Sequence, residues 1–294
     1  MSERAPLRHL LERRVSRIAP ERDVLRVTLG EPARRGRDTV AGEEPLEIRV
    51  GGRSLAVTMR TPGADFDLAC GFLVSEGVVA RTENVAAMRY CSDSGSQVNE
   101  YNVIDVTLAR DVAAPHESAA RAFFTTSSCG LCGKASIDAV RTRSSFEIRD
   151  DPLRLDSSVV VELPAKLRAA QEVFEKTGGL HAAALFEGES GDLLALREDV
   201  GRHNAVDKVV GWALREALLP LRGVILMVSG RASFELVQKA HMAGIPVLCA
   251  VSAPSSLAID LAKESGMTLV GFLRGPSMVV YAGSERLGND ALDD

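Results

Sequence analysis

Two cysteines three positions apart are the sharpest chemical feature of the sequence. Cys129 and Cys132 lie within residues 123–134, where serines, threonines and glycines surround both thiols. Such a composition predicts an exposed, mobile loop. Thiols at this spacing can share a metal ion, form a redox disulfide or carry sulfur as a persulfide, and the spacing does not choose among the three.

The surrounding sequence favours thiol chemistry over metal binding. A structural zinc site needs four ligands, yet the chain has no second CxxC pair and no close pair of histidines. A zinc deaminase needs His-x-Glu and Pro-Cys-x-x-Cys, but Ser128 precedes Cys129 and no histidine has a glutamate two residues later. Because Lys134 and nearby backbone N–H groups can stabilise a thiolate, we interpret Cys129 as a nucleophile and predict no metal site.

A dense polar run around position 200 separates a predicted strand from a predicted amphipathic helix. One interpretation is helix capping, in which Asn204 or Asp207 accepts bonds from the first N–H groups while Arg202 and His203 stay in solvent. The other is a nucleotide pocket at a strand end, in which Asp199 pairs with guanine N–H donors and basic side chains bind phosphate. The pattern leaves both interpretations open.

Two further strand ends carry small and basic residues. Ser229, Gly230 and Arg231 follow one predicted strand, and residues 251–256 follow the next, each opening a helix. Helix N-termini bind anions through free N–H groups, although ordinary N-capping explains such residues equally well. Residues 272–277 form a short basic turn that can reach the same pocket. Neither a GxGxxG run nor a Walker A motif occurs, which disfavours the ordinary NAD and ATP folds.

Hydrophobic periodicity places these motifs on a chain of mixed α/β class, α+β overall. Alternating apolar residues predict a β-hairpin and a small α+β unit first, and alternating strands and helices predict a layered sheet after it. Pro164 at a first helical position and Gly178 at the helix end predict one more helix between these units. The other predicted elements are strands 46–50, 55–59, 103–108, 182–186, 193–196, 224–228, 247–251, 268–272 and 278–281, and helices 65–79, 204–218, 233–243 and 256–263.

Composition and charge exclude several classes of protein. The chain of 294 residues is 46% hydrophobic and 26% charged, which is typical of a globular protein rather than a disordered or collagen-like one. A net charge of −5 argues against general nucleic-acid binding. No apolar run approaches the length of a membrane helix. An odd set of five cysteines suits a reducing compartment, so we expect a cytoplasmic protein without a membrane partner.

Together these stretches resemble the formate dehydrogenase accessory sulfurtransferase family, called FdhD. The resemblance covers residues 40–282, and its most specific part combines the Ser-Cys-Gly-x-Cys-Gly loop with Glu-Asp-Val-Gly-Arg-His-Asn. Members of that family take sulfur from a cysteine desulfurase as a cysteine persulfide. They pass it to molybdenum or tungsten in the bis(molybdopterin guanine dinucleotide) cofactor before that cofactor enters formate dehydrogenase.

The resemblance implies a sulfurtransferase that works as a homodimer, with Cys129 as the persulfide carrier. The role of Cys132 stays open between assisting release through a disulfide and accepting the sulfur in turn. GDP is expected to bind as a partial mimic of the cofactor. The resemblance assigns cofactor binding to the turn residues Phe272, Leu273, Arg274, Gly275, Pro276 and Ser277.

The resemblance also implies a cytidine-deaminase-like domain in the C-terminal half, whereas residues 1–40 fall outside it. We expect a basic, partly ordered N-terminal arm at 1–40, a small α+β domain at 41–120, the cytidine-deaminase-like α/β domain with the CxxC loop at 121–285, and an acidic tail at 286–294. Two other functions stay open. One is a non-catalytic chaperone for the molybdenum cofactor, and the other is a zinc hydrolase, which the missing His-x-Glu disfavours.

Overall fold

The described part of the chain folds into two larger β-sheets, a separate hairpin and helices that pack between and upon the sheets. The computed structural model describes residues 17–91, 101–113, 115 and 144–288. The strands are β1 Glu21–Arg26, β2 Arg34–Thr39, β3 Glu44–Val50, β4 Arg53–Arg60, β5 Val85–Tyr90, β6 Val103–Leu108, β7 His181–Glu187, β8 Leu193–Asp199, β9 Val224–Val228, β10 Val247–Ala250, β11 Thr268–Arg274 and β12 Ser277–Ala282. The helices are α1 Asp65–Ser75, α2 Ser157–Ala169, α3 Glu172–Thr177, α4 Arg202–Arg215, α5 Phe234–Met242 and α6 Ser256–Ser265.

The N-terminal sheet has the strand order β4-β3-β6-β5, with β3 and β6 parallel. Leu46, Ile48 and Val50 are buried and alternate with half-buried residues, which confirms the predicted hairpin of β3 and β4. Gly51 and Gly52 both have positive φ and form the turn between these strands. Strand β5 was not predicted, because its residues are half-buried or exposed and show no apolar alternation.

The described part of the N-terminal arm contains an antiparallel hairpin of β1 and β2. Most of its side chains are exposed, as expected for a peripheral element. Arg17 precedes the hairpin and donates from Nε to Glu44 Oε1 at 2.9 Å. This contact fastens the hairpin to the first strand of the N-terminal sheet.

Helices α1 and α4 cross at two glycines, one on each helix. A Cβ atom on Gly71 would lie 1.8 Å from the Asp207 carbonyl oxygen, and one on Gly211 would lie 1.8 Å from the Asp67 carbonyl oxygen. Both distances are far below van der Waals contact, so only glycine permits this backbone-to-backbone approach. The crossing brings the N-terminal sheet onto the C-terminal one.

The C-terminal sheet has the strand order β12-β11-β10-β9-β7-β8. Strands β9, β10 and β11 are parallel, whereas β7 and β12 pair antiparallel with their inner neighbours. One apolar core lies between this sheet and α1, α4, α5 and α6, and a second core lies between the opposite face and α2. The predicted layered sheet is therefore present. In the described part of the chain, no helix has the length and apolarity needed to span a membrane.

The helix expected to begin at Pro164 is a wrong prediction. Helix α2 begins at Ser157, after an Asp156 side chain that accepts the Ser158 N–H, and Pro164 lies inside it. Buried Val160 and Leu163 explain the earlier start, because they continue the apolar stripe upstream of the proline. The chain then breaks before the separate helix α3, which ends at Gly178 with positive φ.

Candidate functional site

One edge of the C-terminal sheet collects most of the predicted site residues. The parallel strands β9, β10 and β11 end there, β8 ends there too, and antiparallel β7 begins there. We call this region the carboxyl edge and define it by His181, Glu235 and residues 198–203, 229–231, 251–255 and 272–277. The described residues thus bring together four stretches that are far apart in sequence, at the edge where open α/β sheets generally bind ligands.

Asp199 lies beneath the carboxyl edge and not on its surface. Its side chain is 0% exposed, and Oδ2 lies 2.7 Å from Lys208 Nζ. Oδ1 accepts from the Gly201 N–H at 2.8 Å and from Asn204 Nδ2 at 3.1 Å. Since protein groups occupy both oxygens, the predicted direct contact of Asp199 with guanine is wrong. The residue instead shapes the loop from below.

Thr61, from the N-terminal half of the chain, completes this buried network. Its N–H donates to Asp199 Oδ2 at 3.1 Å, and its carbonyl oxygen accepts from Lys208 Nζ at 2.9 Å. The Thr61 hydroxyl accepts from the Val200 N–H at 3.1 Å. Three hydrogen bonds from one residue therefore hold the loop between β8 and α4.

The capping interpretation of the polar run is also wrong, because neither Asn204 nor Asp207 caps α4. Gly201 is the N-cap of α4, and no side chain caps that helix. Asn204 donates to the Met59 carbonyl oxygen at 2.7 Å. Asp207 accepts from Lys239 Nζ at 2.7 Å. These side chains therefore serve tertiary contacts rather than the start of α4.

Arg202 and His203 open α4 at the surface of this edge. Among the described residues, no group accepts a hydrogen bond from the buried Arg202 Nε atom. His203 Nε2 lies 3.5 Å from Glu235 Oε2 on the first turn of α5. This neighbour lowers the pKa of Glu235 to about 2, against an opposing effect of burial. Burial, then the nearby Arg202 and His203, lower the pKa of His181.

The residues after β9 divide into a group that positions the loop and an exposed arginine. Ser229 Oγ accepts from the Ala182 N–H at 2.8 Å, and the Ser229 N–H donates back to the Ala182 carbonyl at 3.0 Å. These two bonds join the loop to β7. Gly230 lies against His181, and Arg231 is exposed with no ion pair to any acid that the structure describes.

Residues 272–277 form the tip of the hairpin between β11 and β12, as predicted. Phe272 has a φ of 49° and is 42% exposed, which is an unusual backbone state for an aromatic residue. Arg274 Nε donates to the Val251 carbonyl at 2.9 Å, and the side chain is otherwise exposed. Gly275, Pro276 and Ser277 are exposed.

Leu273 differs from its neighbours at the hairpin tip. Its side chain is completely buried in the core between the sheet and α2. It can therefore contribute to a ligand only through its backbone, and its side chain anchors the tip.

The carboxyl edge therefore combines helix starts with exposed or half-buried arginines. The starts of α4, α5 and α6 meet there with Arg202, Arg231 and Arg274. Helix starts and arginine side chains both favour phosphate groups.

Comparison with known proteins identifies the family. A model of the FdhD/NarQ family matches residues 41–288. The chain belongs to the FdhD/NarQ family. "Sulfur carrier protein FdhD" of Streptomyces avermitilis is 59% identical over 277 residues, covering 93% of this chain and 97% of that protein. "Sulfur carrier protein FdhD" of Mycolicibacterium paratuberculosis is 56% identical over 272 residues, covering 92% and 99%.

A solved structure has the same fold as this FdhD/NarQ chain. It was assigned as a formate dehydrogenase accessory protein from Desulfotalea psychrophila, and it is 24% identical to this chain. The two superpose with a TM-score of 0.71 over 92% of this chain and 100% of the other. The family model and the curated relatives confirm the family resemblance inferred from the motifs, whereas the cytidine-deaminase likeness stays a prediction.

The thiols of this FdhD/NarQ member differ in their surroundings. Cys129 and Cys132 lie outside the described residues. Cys70 and Cys249 are buried, and burial raises the pKa of both thiols to about 12. Neither is a thiolate near neutral pH, so neither suits sulfur transfer. Cys91 is half-buried at the end of β5.

Two residues of the carboxyl edge in this FdhD/NarQ chain were not selected from the sequence as site residues. Glu235 lies four positions after Arg231, a predicted site residue. Its position in the first turn of α5 is the sequence feature that could have indicated it as a site residue. His181 begins β7 and reaches the edge only because that strand runs antiparallel to β9. Residues in the described part of the chain contain no group of three or more potential ligands placed to hold a metal ion.

Proposed function

We propose that the chain is a sulfurtransferase that carries sulfur to the bis(molybdopterin guanine dinucleotide) molybdenum cofactor. The cofactor is a substrate of this protein and is destined for formate dehydrogenase. Membership of the FdhD/NarQ family and the "sulfur carrier protein" name of close relatives support the sulfur-carrier role. The observation that carries the cofactor assignment is the carboxyl edge, where three arginines and three helix starts converge.

Cys129 accepts the sulfur in this proposal. Its thiolate attacks the terminal sulfur of a persulfide on a cysteine desulfurase, and the S–S bond in the donor breaks. The donor cysteine leaves as a thiolate, and Cys129 keeps the sulfur as Cys–S–SH. The inert state of Cys70 and Cys249 supports this choice of nucleophile.

Delivery of the terminal sulfur as sulfide needs two electrons. In the proposal, the Cys132 thiolate attacks Cys129 Sγ, sulfide leaves toward the metal of the cofactor, and a Cys129–Cys132 disulfide forms. Both electrons come from the two cysteine sulfurs, so no outside oxidant or reductant enters this step. A cellular thiol reductant must then reopen the disulfide before the next cycle.

The carboxyl edge holds the cofactor through its guanosine diphosphate end. Arg202, Arg231 and Arg274 bind pyrophosphate, together with the backbone N–H groups at the helix starts. Each cofactor has two such ends, so a homodimer can offer one carboxyl edge to each. The proposed setting is the cytoplasm, with a cysteine desulfurase and formate dehydrogenase as partners and no nucleic acid.

Sulfur loading of Cys129 tests the proposal. Incubation of the protein with a cysteine desulfurase and cysteine should add about 32 Da per chain, one sulfur atom, by intact-protein mass spectrometry. Cys129→Ala should lose the adduct and formate dehydrogenase maturation while keeping its thermal unfolding transition. Cys91→Ala is the matched control and should load normally.

Loading of the Cys129→Ala protein would contradict the assigned carrier. Single-turnover transfer of labelled sulfur distinguishes the carrier from a cofactor chaperone. Wild-type protein that supports maturation without any labelled sulfur reaching the cofactor would favour the chaperone.

A further inference from the structure

The carboxyl edge contains acids of two kinds. Both carboxylate oxygens of Asp199 are bonded to protein groups below the surface. Glu198 accepts from the N–H groups of Val173 and Phe174 at 2.9 and 2.7 Å. The Glu235 side chain, in contrast, is 22% exposed, and its carboxylate faces a histidine side chain on the neighbouring helix. Glu235 is therefore the acid placed to meet a ligand at the described part of this edge.

The position of Glu235 separates it from the groups that suit phosphate. It lies on α5, where the helix start meets His203 of α4, and four residues after the exposed Arg231. A bare carboxylate repels phosphate but accepts hydrogen bonds well. An ionised acid among cations therefore suits a ligand that is anionic at one end and carries N–H donors at the other.

Guanine has the matching donors. Its N1–H and exocyclic N2 amino group point the same way, and a carboxylate has two acceptor oxygens that can take both. Adenine has an unprotonated N1 at the corresponding position and would meet the carboxylate with a lone pair. The low pKa of Glu235 keeps the side chain ionised at physiological pH.

We propose that Glu235 selects guanine over adenine, with its carboxylate accepting from guanine N1–H and N2–H while His203 holds the carboxylate in place. Glu235 thus replaces the buried Asp199 as the guanine-contacting acid. This inference rests on the proposed function, because it places the guanylated end of the cofactor at the carboxyl edge.

Calorimetric titration of the full chain with GDP, ADP and xanthosine diphosphate tests the proposal. The wild-type protein should bind GDP at least about tenfold more tightly than ADP. Glu235→Gln should weaken GDP binding by about 10- to 100-fold without weakening ADP binding, because the amide no longer opposes the lone pair on adenine N1. The same variant should gain affinity for xanthosine diphosphate, because the new amide NH₂ can donate to the 2-oxo group that replaces the amino group of guanine.

Three further variants make the result decisive. Glu216→Gln, at the opposite end of α4 and exposed, should keep the wild-type preference. Glu235→Asp should lose GDP affinity without gaining xanthosine diphosphate, and it replaces Glu235→Gln if that protein fails to fold. His203→Ala should weaken GDP binding less than Glu235→Gln and keep the order of the three nucleotides, as expected for a positioning residue.

The failures of the two proposals differ. Wild-type protein that binds GDP and ADP equally would overturn the guanylated cofactor as the ligand of this edge. Wild-type preference for GDP that survives in both Glu235→Gln and Glu235→Asp would overturn the role of Glu235 and leave the proposed function standing.

Discussion

The α1–α4 crossing and the carboxyl edge are both rich in charge, but they use it differently. At the crossing, Asp67 pairs with Arg197 and Arg215, and Asp207 pairs with Lys239. At the carboxyl edge, Arg202, Arg231 and Arg274 have no acidic partner within ion-pair distance among the described residues. Paired charges at the crossing join two parts of the fold, whereas the cations of the edge have no such pairing within the described part of the chain.

The glycines of the two regions provide a first contrast in stability. Gly211→Ala should lower the free energy of unfolding by about 3 kcal/mol, because the added methyl group would overlap the Asp67 carbonyl. Gly230→Ala at the carboxyl edge is the control, since its Cβ would lie 3.6 Å from His181 in ordinary contact. Urea unfolding monitored by circular dichroism measures both. Equal stability of the two variants would show that the helices separate easily.

The buried pair beneath the edge comes next. Lys208→Met should cost about 3–5 kcal/mol of stability, because it leaves the Asp199 carboxylate buried without its cation. Lys263→Met, on the exposed last turn of α6, should change stability by less than about 0.5 kcal/mol. A loss for Lys208→Met no larger than this would contradict the structural role of the pair.

The surface arginines should show the smallest change in stability and a clear change in binding. Arg231→Ala and Arg274→Ala should each weaken GDP binding by about tenfold, because each removes one charged donor to phosphate. Neither should alter the unfolding transition, since both side chains are exposed. Arg222→Ala, an exposed arginine before the opposite end of β9, is the control. Unchanged GDP affinity in both edge variants would contradict the proposed phosphate site.

The sequence predicted those elements whose signals are local. Strand β9 was predicted at its observed bounds because five consecutive buried apolar residues form it. The strand β6 was also predicted at its observed bounds. The predicted helix start at Pro164 differs from the observed start of α2 at Ser157. Burial of Val160 and Leu163 explains the difference, because both residues belong to the helix upstream of the proline.

The sequence was enough to predict which strand ends form the candidate site. It was not enough to predict which acid is buried and which lies at the surface. The polar run did mark the β8–α4 loop, and the strand ends do converge. Asp199 is held in its buried position by Thr61, which lies 138 residues away. Glu235 is placed beside His203 by the contact between two different helices. Such long-range contacts leave no trace in local spacing or periodicity.

The three hydrogen bonds that Thr61 makes would be at risk if segments were exchanged between relatives. A chimera that joins the N-terminal sheet of one relative to the C-terminal sheet of another would inherit Thr61 from one parent and the Asp199–Lys208 pair from the other. The loop between β8 and α4 would then be supported only where both parents match at these contacts. The two halves of the chain must therefore be transplanted as one unit if ligand recognition is to survive.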